Sequence, residues 1–221
     1  MPPDLLRLGL LGGLLGLDGT AVGQFMISRP LVVGAVMGWA VGDMELGIGI
    51  GAVLELYLLV SFPTGGARFP EGATATAVAV AVAAPFSGAG AVPVAVAVGL
   101  VWGQIGGASV NAQRHFNSWL VPEPGSNTAS GFPPGLSHLI AIAADFLRGS
   151  AVTMTGVLSG RLLIGSVVDR WPLSSSASTG LLLVGGAVSA GILLHDLGGF
   201  RRRRTLFAAG ITLGIIGARL L

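Results

Sequence analysis

Residues Arg29–Gly72 read RPLVVGAVMGWAVGDMELGIGIGAVLELYLLVSFPTGGARFPEG. The stretch is apolar enough to lie in a bilayer, yet it carries Asp43, Glu45, Glu55, Arg68 and Glu71. Insertion scales place an acidic residue at a helix centre about 2.5–3.5 kcal/mol uphill. An acid such as Glu55, flanked by VL and LYLLV, therefore faces a bundle interior or a water-filled path rather than lipid. Breaks at Gly42-Asp43, Pro63 and Pro70 cut the stretch into pieces shorter than the roughly 20 residues a spanning helix needs. Non-helical backbone at membrane depth survives only where protein or a water-filled cavity covers it. The pattern predicts re-entrant hairpins and discontinuous helices, an architecture that transporters use to build sites near the midplane.

Composition extends this reading to the whole chain of 221 residues, taken as a single integral membrane domain. Only 10% of residues are charged, against about 25% in soluble domains. Mean hydropathy is +0.81. The expected fold is an all-α polytopic bundle. Its 37 glycines suit helices that pack closely, because in lipid close packing replaces the hydrophobic effect as the glue. Glycines spaced four apart, Gly34/Gly38/Gly42 among them, are expected to be packing grooves. The N-terminal MPPDLLRLGLLGGLLGLDG has no small-residue cleavage site and reads as a retained membrane segment.

Apolar segments fall at 5–17, 30–42, 44–62, 73–86, 88–110, 136–165, 178–195 and 205–221. The alternation ATATAVAVAVAA at 73–84 mimics a strand, but both registers are apolar, so a helix is expected. The polar stretch 111–135 reads as an interfacial or cytoplasmic loop, beginning with a short interfacial helix around Arg114, Phe116 and Trp119, and 166–178 as a shorter loop. Arg201–Arg204 is the firmest cytoplasmic marker by the positive-inside rule and faces anionic headgroups. It does not point to nucleic acid, since no soluble basic face is present.

Several chemistries are excluded. There is no cysteine, so no thiolate catalysis and no disulfide. There is no lysine, hence no phosphate-binding loop of the GxxxxGK[ST] form and no ATP-driven cycle run by this chain alone. His115, His138 and His195 lie far apart without ligand spacing, so no metal or other cofactor is expected.

An ordered series of residues carries a resemblance. Asp18 is followed by Gln24, Arg29-Pro30-Leu31, Gly42-Asp43-Met44 with Gly47 and Gly51, Leu54-Glu55, Gly65 and Pro70-Glu71. Looser agreement continues through Phe146-Leu147, Pro172 and Gly185-Gly186. The chain resembles the IIC component of the mannose/fructose/sorbose family of the bacterial phosphotransferase system. The resemblance implies a non-enzymatic permease subunit in the bacterial inner membrane. It would work as a hetero-oligomer with a IID membrane subunit, while soluble IIA and IIB proteins carry phosphate to the entering hexose. It places the sugar region on Glu55, Gly65 and Gly66 of the 63–66 turn, and Pro70-Glu71. Arg68 lies between the breaks, and Asp18 and Gln24 are further lining candidates. A buried carboxylate accepting two sugar hydroxyls suits this assignment, because charge-assisted bonds are about twice as strong as neutral ones. Glu71 has a second reading as the N-cap of the segment from Ala73, Glu55 as a structural partner of an arginine on another helix, and Arg29 as an interfacial anchor. One departure is Pro63 where relatives often carry an asparagine; a side-chain amide there would donate to and accept from sugar hydroxyls. Alternatives are a regulatory scaffold without transport and an unrelated small-solute transporter.

Overall fold

The computed structural model describes residues 3–59, 69–120, 133–198, 201 and 203–220. Among them every regular element is a helix. The order is α1 (Pro3–Thr20), α2 (Pro30–Val41), α3 (Met44–Tyr57), α4 (Gly72–Ala83), α5 (Ala91–Leu120), α6 (Pro134–Val167), a 3-10 turn (Val168–Arg170), α7 (Ser175–Asp196) and α8 (Arg204–Leu220). Among the described residues three stretches are long and apolar enough to cross a bilayer: Ala91–Leu120, Pro134–Arg170 and Ser175–Asp196. The chain is an all-α membrane protein with short, interrupted helices beside spanning ones.

The quoted stretch folds as a hairpin of two half-length helices. Each residue rises about 1.5 Å, so the 12 residues of α2 reach only about 18 Å, well short of a hydrocarbon core of roughly 30 Å. Pro30 starts α2, where its missing N–H costs nothing. Gly42 ends it with φ 82°, a left-handed conformation that a side chain would strain, and its N–H returns to the carbonyls of Gly38 and Trp39. Asp43 then opens α3, accepting the Leu46 N–H at 2.9 Å. The two helices lie against each other through Gly34, Gly38, Gly47 and Gly51. A Cβ on Gly38 would sit 3.0 Å from the Gly47 Cα, and one on Gly51 only 2.7 Å from the Pro30 carbonyl oxygen. The four-residue glycine spacing is tight packing in this hairpin.

Helix α4 explains its own misleading alternation. Every residue from Ala73 to Ala83 is buried, and a helix apolar all round belongs inside a bundle. It is enclosed by α1, α2, α3, α5 and α6. Helix α1 runs antiparallel to α6, with Arg161 Nη1 2.9 Å from Asp4 Oδ2 at one end and Thr20 bonded to Asp145 at the other. Arg161 also donates through Nε to the Ala81 carbonyl at 3.1 Å, near the far end of α4.

One boundary differs from expectation. The helix expected around Arg114, Phe116 and Trp119 is not a separate interfacial piece: residues 111–120 are the last turns of α5. The polar side chains there satisfy one another along the helix: Gln113 Nε2 donates to Asn117 Oδ1 at 2.9 Å and to the Ala141 carbonyl of α6 at 3.3 Å. Of the remainder of the expected loop, residues 121–132 lie outside the described residues.

Candidate functional site

Between the start of α2, the end of α3 and the start of α4 lies a cavity of about 120 Å³. Glu55, Leu58, Pro70, Glu71 and Arg29 line it, with Gly16 and Thr20 of α1 and Val110 of α5. A second cavity of about 440 Å³ adjoins it and shares Thr20, Ser28, Arg29, Phe69 and Val110. The larger one adds Asp18, Gln24, Gln113, Arg114, Asn117 and Asp145. Of the residues singled out from sequence, Glu55, Pro70 and Glu71 are brought together in the inner cavity, and Asp18 and Gln24 stand in the outer one. Gly65, Gly66 and Arg68 lie outside the described residues.

Glu71 sits at the N-cap position of α4 but its side chain makes no capping bond. The carboxylate turns to α6. Arg148 Nη2 approaches Oε1 at 2.9 Å and Nη1 approaches Oε2 at 3.1 Å, while Thr74 Oγ1 donates to Oε2 at 2.6 Å. The Glu71 N–H donates to the Gly103 carbonyl at 2.8 Å. Glycines on α5 make this approach feasible. A Cβ on Gly106 would lie 2.6 Å from Glu71 Oε2, and one on Gly107 would overlap the Phe69 carbonyl oxygen. The backbone at Phe69-Pro70-Glu71 thus runs in contact with bare backbone of α5.

Arg148 ties four helices together. Its Nε reaches Asp145 Oδ1 at 2.7 Å one turn back, and Nη1 reaches Ser109 Oγ of α5 at 2.8 Å. Asp145 Oδ2 accepts from Thr20 of α1. The side chains of Arg148, Glu71 and Asp145 are only 10%, 7% and 3% exposed, so the charges answer one another and not water. Sequence reasoning passed over Arg148 and Asp145. An acid and a base three residues apart in a mostly apolar helix were the available signal.

Glu55 is held differently. Arg29, just before α2, donates through Nη2 to Glu55 Oε1, and the Leu31 N–H approaches Oε2 at 3.2 Å. This pair is more open, with side-chain exposures of 43% and 20%. Arg29 is a partner of Glu55 rather than an interfacial anchor alone. Asp18 is spent on the α1–α2 connection: Oδ1 accepts the Phe25 N–H at 2.6 Å and Oδ2 the Ser28 N–H at 3.0 Å. Those two bonds stabilise a loop in which Gln24 and Met26 take positive φ of 56° and 66°. Phe69, on the wall common to both cavities, has the Arg114 guanidinium 5.9 Å from its ring centroid.

A family model described as the sorbose-specific IIC component of the phosphotransferase system matches residues 4–195. A solved chain titled "Structure of membrane protein" superposes with a TM-score of 0.70 at 17% identity, covering 100% of this chain and 94% of that one. At that identity the likeness speaks for the fold. No curated protein gave a match.

Proposed function

The chain belongs to the sorbose-specific IIC family of the phosphotransferase system, a family of sugar permease components, and from that premise we propose that it binds a hexose-like sugar between Glu55 and Glu71 and carries it across the bacterial inner membrane together with a IID subunit. Phosphoryl transfer belongs to IIA and IIB proteins, and this chain supplies binding and alternating access. The observation that carries the reading is the convergence of two intramembrane carboxylates, from α3 and from the start of α4, on one cavity. Acids at membrane depth are costly unless they serve a path. A pyranose offers hydroxyls to accepting carboxylates and an apolar face to a ring such as Phe69.

Sidedness follows from the arginines. If Arg201–Arg204 is cytoplasmic, so is the Asp196 end of α7. Helices α6 and α7 are each long and apolar enough to cross the bilayer and are joined by residues 168–174. The Pro134 end of α6 is then cytoplasmic, and so is the Leu120 end of α5, which Gln113 ties to Ala141. The outer cavity with Gln113 and Asn117 faces the cytoplasm on this reading, the side where soluble phosphate carriers act.

The test is uptake of radiolabelled mannose, glucose, fructose and N-acetylglucosamine in cells expressing this chain with and without a IID partner. Uptake that requires IID and fails in Glu55→Gln is expected. Wild-type uptake of any of these sugars that survives Glu55→Gln would remove Glu55 from the site. Absence of uptake despite membrane expression of both chains would favour a scaffold role.

A further inference from the structure

Two arginine–glutamate pairs flank the inner cavity, and they are built for opposite purposes. Arg148 grips Glu71 with two nitrogens, is anchored to Asp145 and Ser109 as well, and is 10% exposed. Arg29 reaches Glu55 with one nitrogen, is 43% exposed, and its guanidinium has no other hydrogen-bonded partner among the described residues. Arg29 also lines both cavities, whereas Glu55 lines only the inner one. The arginine therefore stands on the partition between them.

Resting on the permease reading above, we propose that Arg29 is a positioning residue that occupies Glu55 in the empty protein and must be displaced by sugar, so that the Arg29–Glu55 pair is the closure of the inner site and the Arg148–Glu71 pair its fixed floor. Volume supports this. Small-molecule sites commonly enclose about 300–1,000 Å³. The inner cavity at about 120 Å³ is below that range. Joined to its neighbour of about 440 Å³ it falls inside. Swinging Arg29 toward the outer cavity joins the two and frees Oε1 of Glu55 for a hydroxyl. A bidentate, multiply anchored pair cannot make the same exchange without leaving two buried carboxylates without a counter-charge.

A protein whose competent state is only partly populated binds with an affinity reduced by that fraction. Removing the competitor for Glu55 should tighten binding. The purified complex of this chain with IID is titrated with the four radiolabelled sugars above. Arg29→Gln is expected to bind the recognised sugar about three- to tenfold more tightly, while Glu55→Gln loses it. Unchanged or weaker binding by Arg29→Gln, with Glu55→Gln still defective, overturns the closure and leaves the site reading intact. Full binding by Glu55→Gln overturns the site reading and the closure with it, as does failure of the wild-type complex to bind any of the four. A second measurement covers poor folding of Arg29→Gln. The chain has no native cysteine, so Leu58→Cys places a single thiol on the inner cavity alone. In that background Arg29→Lys, which keeps the charge but with a compact ammonium on a flexible stem, should speed alkylation by a hydrophilic maleimide in the absence of sugar. An unaltered rate overturns the proposal.

Discussion

The Arg148 guanidinium holds both carboxylate oxygens of Glu71 at once, Nη2 2.9 Å from Oε1 and Nη1 3.1 Å from Oε2. The pair joins the middle of α6 to the start of α4, and both side chains are nearly inaccessible. Removing one partner of such a pair leaves an uncompensated buried charge, a loss of about 3–5 kcal/mol. Arg148→Met should therefore lower stability strongly. Arg148→Lys should lower it less, keeping the charge but not the fork. The double variant Glu71→Gln/Arg148→Met, with neither charge, should be more stable than Arg148→Met alone. Thermal unfolding of the detergent-solubilised protein reads all three. Equal melting of Arg148→Met and wild type would show that the pair contributes nothing.

Glycines in α5 are predicted to matter by position and not by number. Gly107→Ala would drive a methyl into the Phe69 carbonyl, and Gly106→Ala would bring one to 2.6 Å from Glu71 Oε2. Overpacking of this kind costs about 1–3 kcal/mol. Gly49 in α3 has open space where a Cβ would go, so Gly49→Ala should gain about 0.5–1 kcal/mol from reduced chain entropy. The melting temperatures should order as Gly49→Ala above wild type above Gly107→Ala. A neutral Gly107→Ala would mean that the Phe69-Pro70-Glu71 segment does not lie against α5.

These contacts mark where the sequence was informative and where it was not. The half-length helices were legible because Pro30, Gly42 and Asp43 act locally: a fixed φ, a left-handed φ and a capping oxygen need no tertiary partner. Glu55 and Glu71 stood out because an acid in an apolar run has few explanations. Arg148 and Asp145 were hidden by their own neutrality, since an acid and a base one turn apart cancel in any count of charge. The end of α5 misled for a different reason. Gln113 and Asn117 bond each other and line the outer cavity, and Asn111 accepts from Arg114, so their polarity does not mark the end of the helix. The assembly of both carboxylates with Arg29 and Arg148 depends on the crossing of α3, α4 and α6, which no local pattern encodes.

Asp43 provides a contrast with the acids that line the inner cavity. Its carboxylate accepts the Leu46 N–H at 2.9 Å at the start of α3 and lines neither cavity. Asp43→Ala should cost about 0.5–2 kcal/mol through loss of the cap. Asp43→Asn or Asp43→Ser, which also cap, should restore most of that. Sugar uptake per folded molecule should be the same in all of them. A large uptake defect in a well-folded Asp43→Ser would assign Asp43 a role beyond the cap.

The seating of α7 gives a direct geometric test. Tyr57 Oη donates to the Leu182 carbonyl at 3.0 Å, and Ser189 Oγ donates to the Tyr57 carbonyl at 3.2 Å. Gly185 faces the Tyr57 ring with no room for a Cβ, and a Cβ on Gly186 would stand 3.3 Å from the Leu56 Cβ. Disulfides join Cβ atoms about 3.5–4.5 Å apart. In a chain free of native cysteine, Leu56→Cys/Gly186→Cys should oxidise to an intramolecular bridge, seen as a mobility shift that reductant reverses. Leu56→Cys/Gly180→Cys, with open space around Gly180, should not. Because α3 carries Glu55, the bridge also fixes the hairpin proposed to bind sugar to α7. If the two move as one body during transport, uptake survives oxidation. If α3 slides against α7, uptake stops on oxidation and returns with reductant. Failure of the first pair to cross-link would place α7 elsewhere than against α3.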